Sequence, residues 1–413
     1  MNFKDAILSY QKFGIDVNKA IEIVKDIPIS IHCWQGDDIT GFEHHHTSLS
    51  GGIQVTGDYP GKARNFDELK NDIRQAIKYI PGKKRINLHA IYAVTEGFIE
   101  RDELKPEHFD KWIDFALENN LKIDFNPTFF SHQMVKNNLT LSSPDSEVRS
   151  FWIRHAKACR NIATYIGKKQ QSPCLFNVWI PDGMKDVPAD RLGPRLRLKE
   201  SLDEIFSDHF DSAHIIDSVE SKVFGIGLES YTVGSHEFYM NYAKEKNINC
   251  LIDSGHFHPT ENVADKISSL IPFNKFIAFH ITRAVRWDSD HVVLFDDTTK
   301  EIAREIMATG KPERFLIGLD YFDATINRVA SWIIGTRNFQ KALLYAALMP
   351  FDQMKSLQDN ADFTALLVLQ EEMKTMPFSS VWEAYCEQQN IISDFQWYEE
   401  IKIYEKSILS KRR

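Results

Sequence analysis

A closed (β/α)8 barrel is the fold class this sequence predicts, and three observations predict it. Short apolar runs alternate with longer amphipathic ones eight times. The apolar runs are nearly continuous, as strands buried on both faces must be. Ionisable residues fall where those runs end, which is where parallel barrels carry their reactive groups. An N-terminal helical segment (1–26) precedes the catalytic barrel (27–323), and a C-terminal helical extension (324–413) follows it.

The opening segment, Phe3 to Lys25, carries helical spacing through Ile7, Leu8, Ala20, Ile21 and Val24, interrupted at Gly14. The first strand is PISIHCW, β-branched and bounded by proline. A Gly- and Asp-rich loop runs from Asp37 to Asn65, and loops of this length serve as functional or mobile segments, here a lid over its own site or a neighbour's. Its tract His44-His45-His46 reads as exposed loop, because three consecutive side chains do not converge easily on one cation. A helix from Phe66 to Ile80, capped by Asn65 with Glu68 in the capping-box position, leads to the strand RINLHAIY. Pro106 opens the helix PEHFDKWIDFALENN, which leads to LKIDFNP. A helix from Glu147 to Ile166 is expected to stop at Gly167, before the strand PCLFNVWIP. Helices near 197–206, 237–246, 263–270 and 301–308 lead to IIDSVES, NCLIDSG, FIAFHIT and FLIGLD. Beyond Asp320 the pattern is helical throughout. That extension has too little core to stand alone, so it packs on the barrel or on a neighbouring subunit, and the terminal SKRR reads as solvated.

An apolar content of 43% suffices for a large core. The net charge of -9, with no basic cluster beyond the terminal SKRR, excludes a general nucleic-acid surface. Five scattered cysteines without a CxxC pair suit reduced thiols. Charged residues throughout 1–26 leave no signal-type apolar stretch, and no later stretch approaches a membrane span. The expectation is a soluble, cytoplasmic protein with a small-molecule substrate and no membrane partner.

The stretch Leu251 to His291 concentrates the chemistry. Asp253, His256, His280, Asp288 and Asp290 lie where apolar runs end, joined by Glu220 from upstream and Asp320 from downstream. So many negative charges in one pocket are unfavourable unless protons or cations share it. Two divalent cations are therefore expected. Asp, Glu and His without thiolates favour hard, octahedral ions such as Mn²⁺, Mg²⁺ or Co²⁺ over a structural zinc. Glu220 and Lys222, two apart, share one face of a strand, so Lys222 would donate to a substrate oxygen where Glu220 binds metal; a surface pair is the bland alternative. Asp288 and Asp290 are either ligands or Asx-turn residues. Trp34, Phe129, Phe130 and Trp179 either wall a substrate or fill the barrel's upper layer, and Phe129 and Trp179 are taken as the substrate-binding pair.

The motifs HCWQGDD, NLHAIY, DFNP, WIPDGMKD, ESK, GHFHPTE, VRWDSDHVV and GLD, with others between them, resemble those of the L-rhamnose isomerase family from about Ile29 to the C-terminal helices. The resemblance implies a barrel of the xylose isomerase type, a homotetramer, and reversible conversion of L-rhamnose to L-rhamnulose by a hydride shift, the first step of L-rhamnose catabolism. It assigns Glu220, Asp253, His280 and Asp320 to a structural metal and His256, Asp288 and Asp290 to a catalytic one. Mn²⁺ is the implied ion, with Co²⁺, Mg²⁺ or Zn²⁺ as substitutes. Lys222 and His89 match residues that touch the sugar, and His89 and Asp320 are candidates for assisting ring opening. L-Lyxose and L-mannose are expected side substrates. The rival reading is another metal-dependent barrel enzyme, an epimerase or an aldolase.

Overall fold

The computed structural model describes residues 2–43 and 53–412. Eight parallel strands close into a barrel: β1 (Ile29–His32), β2 (Lys84–His89), β3 (Lys122–Asn126), β4 (Cys174–Val178), β5 (Ile215–Glu220), β6 (Asn249–Asp253), β7 (Ile277–Ile281) and β8 (Phe315–Leu319). Each strand pairs with its sequence neighbours and β8 returns to β1, with Ile29 opposite Ile317 and Ser30 opposite Gly318. These strands have almost no exposed face, and this burial is why their sequences read as unbroken apolar runs. The predicted alternation of elements is therefore the observed one. The tract His44-His45-His46 lies outside the described residues.

The barrel interior is apolar at mid-height, where Leu175, Leu251 and Ala278 meet Ile216 and Leu316. Level with Leu175 on the neighbouring strand, Asp124 accepts two bonds from Arg85 (2.8 and 2.9 Å) and one from Ser30 (2.7 Å), so the buried carboxylate is paired on several sides. The outer ring is amphipathic helices. Asn65 caps the helix Phe66–Ile77 by accepting from the Glu68 N–H at 3.0 Å. The reciprocal half of the expected box is displaced by one residue, since Glu68 accepts from the N–H of Arg64.

Two expectations about chain ends are corrected. The helix after β3 runs from Ser146 to Gln170, through Gly167, and ends at Gln171 in the left-handed conformation (φ 51°). Gly167 has a packing role instead: a Cβ there would sit 1.8 Å from the carbonyl oxygen of His214, so only glycine lets the helix approach that loop. The tail is not wholly solvated either. Arg412 is buried and donates two bonds to Asp72 (2.5 and 2.8 Å) and one to the Gly61 carbonyl (3.0 Å). Tyr404 adds a bond to the same carboxylate at 2.7 Å.

After β8 the helix Arg328–Ala347 packs against Asp297–Ala308 and Phe66–Ile77, and so fills the eighth outer position. Helices Phe3–Gln11 and Val17–Asp26 share one apolar core with it and with Phe378–Glu387. No helix among the described residues is long and apolar enough to cross a membrane.

Candidate active site

Parallel strands deliver their last residues to one rim, and this chain places polar groups there strand by strand. On β5, β7 and the residue after β8, Glu220, His280 and Asp320 converge, with Asp253 from β6 between them. One ligand atom from each lies within 4.8 Å of the others. The Nδ1 of His280 is 3.3 Å from Glu220, 3.4 Å from Asp320 and 3.9 Å from Asp253. Asp320 is held by the indole N–H of Trp34, from the adjoining end of β1, at 2.9 Å. Asn177, on β4, donates to the second oxygen of Glu220 at 2.5 Å.

The remaining predicted ligands lie alongside. His256 spans the two groups, its Nδ1 3.4 Å from Glu220 and its Nε2 3.3 Å from Asp288. Lys222 donates to Asp288 at 2.6 Å and lies over the ring of Trp179, 5.3 Å from its centroid. Asp290 lines the cavity in a left-handed backbone conformation (φ 46°). Only Glu220, Asp253, His280 and Asp320 form a mutually close group of potential ligands among the described residues. The trio His256, Asp288 and Asp290 is assembled more loosely, with Lys222 occupying one of its carboxylates.

The electrostatics are those of a site short of positive charge. Burial pushes the Asp253 carboxyl well above the usual range, and the Glu220, Asp320 and Asp288 charges add to it. Burial pushes Asp290 well above that range too, and raises Asp320 against the opposing pull of His280 and Trp34. For His280 burial acts downward, yet Glu220 and Asp320 outweigh it and lift the imidazole to about 9. Asp288 moves the other way despite burial, because Lys222 and His256 favour its charged form. Four polar atoms here, Asp253 Oδ2, His256 Nδ1, His280 Nε2 and Asp288 Oδ1, are buried without a hydrogen-bond partner. Unpaired buried acceptors are costly, and an oxygen-rich donor set of this kind fits a hard divalent cation.

The opposite side of the rim is aromatic. Trp34, His89, Phe130, Trp179, Ile39 and Phe322 wall a cavity whose floor reaches Glu220, Lys222, His256, His280, Asp290 and Asp320. His89 packs edge-on to Trp34 (4.8 Å) and Phe130 (5.5 Å), and burial holds its pKa down to about 3. It is therefore a neutral imidazole at the cavity edge. Phe129 is not brought to the cavity. It is fully buried against Trp152 (5.5 Å) and His155 (5.7 Å), and Phe130 stands in the place predicted for it. The strand has already ended at Asn126, so alternation no longer decides which of two adjacent rings faces inward. Asn177 was missed as well; an amide in an apolar strand, two residues before Trp179, was the available signal.

The family model for L-rhamnose isomerase (RhaA) matches residues 1–412. A curated L-rhamnose isomerase of Salmonella typhimurium is 53% identical over 408 residues, covering 98% of this chain and 97% of that protein. The L-rhamnose isomerase of Salmonella agona is 54% identical over the same length and shares. Among solved structures, an L-ribulose 3-epimerase is 10% identical with a TM-score of 0.49, over 77% of this chain and 95% of that one, a likeness too loose to bear on function. Match and identity extend over nearly the whole sequence, and this chain belongs to the L-rhamnose isomerase family.

Proposed function

We propose that the chain interconverts L-rhamnose and L-rhamnulose with two divalent cations; the oxygen-and-nitrogen donor set suits Mn²⁺, Mg²⁺ or Co²⁺, and membership of the family favours Mn²⁺ among them. The observation that carries this is the close group Glu220, Asp253, His280 and Asp320 on the barrel rim of a member of this family. These four would hold one cation, and His256, Asp288 and Asp290 the other. When bound, the cations supply Lewis-acid polarisation of the sugar's C1 and C2 oxygens and make water in the site more acidic.

The chain's own residues account for the rest. His89, neutral and at the cavity edge, and Asp320 on the facing side assist ring opening through hydrogen bonds to the anomeric and ring oxygens, while the proton of the anomeric hydroxyl passes to the ring oxygen. Lys222, steadied by Asp288, donates to O1 and compensates the charge that develops there. The C2 hydrogen then moves to C1 with its bonding electrons, O2 loses its proton, and O1 gains one. Trp34, Phe130, Trp179 and Phe322 keep bulk water from the reacting carbons, which a hydride shift requires.

The finer assembly is part of the same reading: a cytoplasmic homotetramer. Exposed Phe363, Leu367 and Val368 on one helix support burial against another subunit, and five free cysteines support a reducing compartment. Sedimentation at several concentrations tests the tetramer.

The deciding experiment uses L-rhamnose deuterated at C2. Retention of the label at C1 of the product is expected. Complete washout into solvent would replace the hydride route with an enediol, as in an epimerase, and release of a three-carbon fragment would indicate an aldolase.

A further inference from the structure

Behind the aromatic wall lies a buried polar network that the isomerase chemistry leaves unused. Arg101 is 2% exposed. Its Nε and Nη2 donate to the two oxygens of Glu43 at 2.7 Å each. Its Nη1 donates to the carbonyls of Thr128 (2.9 Å) and Phe130 (2.7 Å), and Nη2 reaches that of Ser131 (3.1 Å). Every N–H the guanidinium possesses is thereby engaged. The Arg101 carbonyl accepts from His155 Nδ1 at 2.9 Å, and His155 Nε2 accepts from the Thr128 N–H at 3.0 Å. These bonds fix His155 as one neutral tautomer, and burial holds its pKa at about 3.

The grip falls on a short segment with a particular shape. Ser131 has φ 53°, a left-handed conformation that a serine keeps only where its surroundings enforce it. Phe130, one residue earlier, projects between His89 (5.5 Å) and Trp179 (6.0 Å). Thr128 Oγ1 lies 3.2 Å from Nδ1 of His89. Three of the Arg101 bonds end on carbonyls of Thr128, Phe130 and Ser131, so the guanidinium grips the backbone of the segment that carries the cavity-wall ring of Phe130. Charge balance alone would have needed only Glu43.

We propose that Arg101 and His155 are positioning residues that fix how far Phe130 and His89 reach into the sugar cavity, and so set affinity and the choice among aldoses. The inference rests on the isomerase reading above. Steady-state kinetics of Arg101→Met, His155→Leu and His155→Gln on L-rhamnose, L-mannose and L-lyxose, with Mn²⁺ affinity measured by paramagnetic resonance titration, tests it. Arg101→Met and His155→Leu should raise KM for L-rhamnose about tenfold, change kcat by less than about threefold and narrow the preference among the three sugars. Mn²⁺ affinity should stay unchanged. His155→Gln should restore wild-type values, because an amide can accept from Thr128 and donate to Arg101 at once.

A lowered thermal midpoint with KM and selectivity intact would overturn the proposal, as would a parallel loss of Mn²⁺ binding. Should Arg101→Met fail to fold, the His155 pair decides. A wild-type protein that turns over no aldose would refute the isomerase reading instead. Calorimetric titration of L-rhamnose into wild type and His155→Leu then tests the brace alone, and equal affinities, or binding to neither, would overturn it.

Discussion

Strands β1 to β4 bring rings and amides to the rim (Trp34, His89, Asn126, Phe130, Asn177, Trp179), whereas β5 to β8 bring carboxylates, imidazoles and an ammonium (Glu220, Lys222, Asp253, His256, His280, Asp288, Asp290, Asp320). The two halves face each other across one cavity and differ in the charge and the donor atoms they bring to it. On the aromatic side, His89 has its Nδ1 bonded to Thr128 and Trp34 donates to Asp320 of the adjoining strand end, while the amide oxygen of Asn177 and the indole N–H of Trp179 are buried without partners. On the acid side, buried oxygens and ring nitrogens are left without partners. A folded protein tolerates such a deficit where a ligand makes it good; the carboxylates and imidazoles of the acid half could hold a cation, and the rings of the aromatic half suit the carbon skeleton of a sugar.

That contrast can be broken from either side. Asp253→Asn, in the acid half, should lower kcat by roughly 10³-fold, as the loss of several kcal/mol of charge stabilisation implies. Mn²⁺ affinity should fall with it. Normal Mn²⁺ binding in that variant would remove Asp253 from the centre. Lys222→Met should lower kcat by roughly 10²- to 10³-fold with little change in KM, since its bond strengthens only as charge develops on O1. A raised KM at constant kcat would make it a binding group instead.

Phe130→Ala belongs to the other half. About 2 kcal/mol of apolar contact is at stake, so KM should rise about 10- to 30-fold while Mn²⁺ affinity is preserved. Equal effects on sugar and metal would erase the distinction between the halves.

The smallest effect concerns Asp37, the buried acid of the aromatic half, which accepts from Tyr92 (2.7 Å) and from the Gly41 N–H (2.7 Å). Burial lifts its pKa to about 7. The folded state then holds a proton that the unfolded state has released between about pH 4 and pH 7. Stability from this group is complete below pH 4 and is lost as pH rises through 7. Asp37→Asn should flatten that part of the pH profile of thermal unfolding, by on the order of 1–4 kcal/mol, with chelator present or absent. A profile that changes on chelation would place Asp37 with the cations.

Much of this was legible in the sequence because barrel strands announce themselves twice, as apolar runs and by the ionisable residues at their ends. Glu220 and Asp253 close their strands, His280 is the last but one of its strand, and Asp320 comes directly after the last strand, where the fold needs nothing polar, so each called for a partner. Loops and helices are different. Arg101 and His155 reach the wall from a short 3-10 turn and from the middle of a long helix, and no periodicity marks an arginine whose partners are backbone carbonyls of another segment. Gly167 shows the same limit: glycine after a helical pattern signals a stop, but a close approach by a distant carbonyl leaves no trace in the local sequence. The burial of Arg412 depends on Asp72, 340 positions away.

The barrel seam has one further consequence. Asp320 is oriented by Trp34, the Tyr321 backbone meets the His32 ring, and Gln35 exchanges two bonds with the Asp323 backbone at 2.9 Å each, so the last strand's end is fixed by the first. The fourth ligand of the close group therefore acquires its place only when β8 has docked beside β1. A cation held by all four groups would act as an inspector of ring closure, and a barrel that sprang open at this seam on warming would release such a cation while most of its helices were still intact. Loss of activity would then run ahead of loss of helical signal, and added Mn²⁺ would hold the two together by stapling the seam.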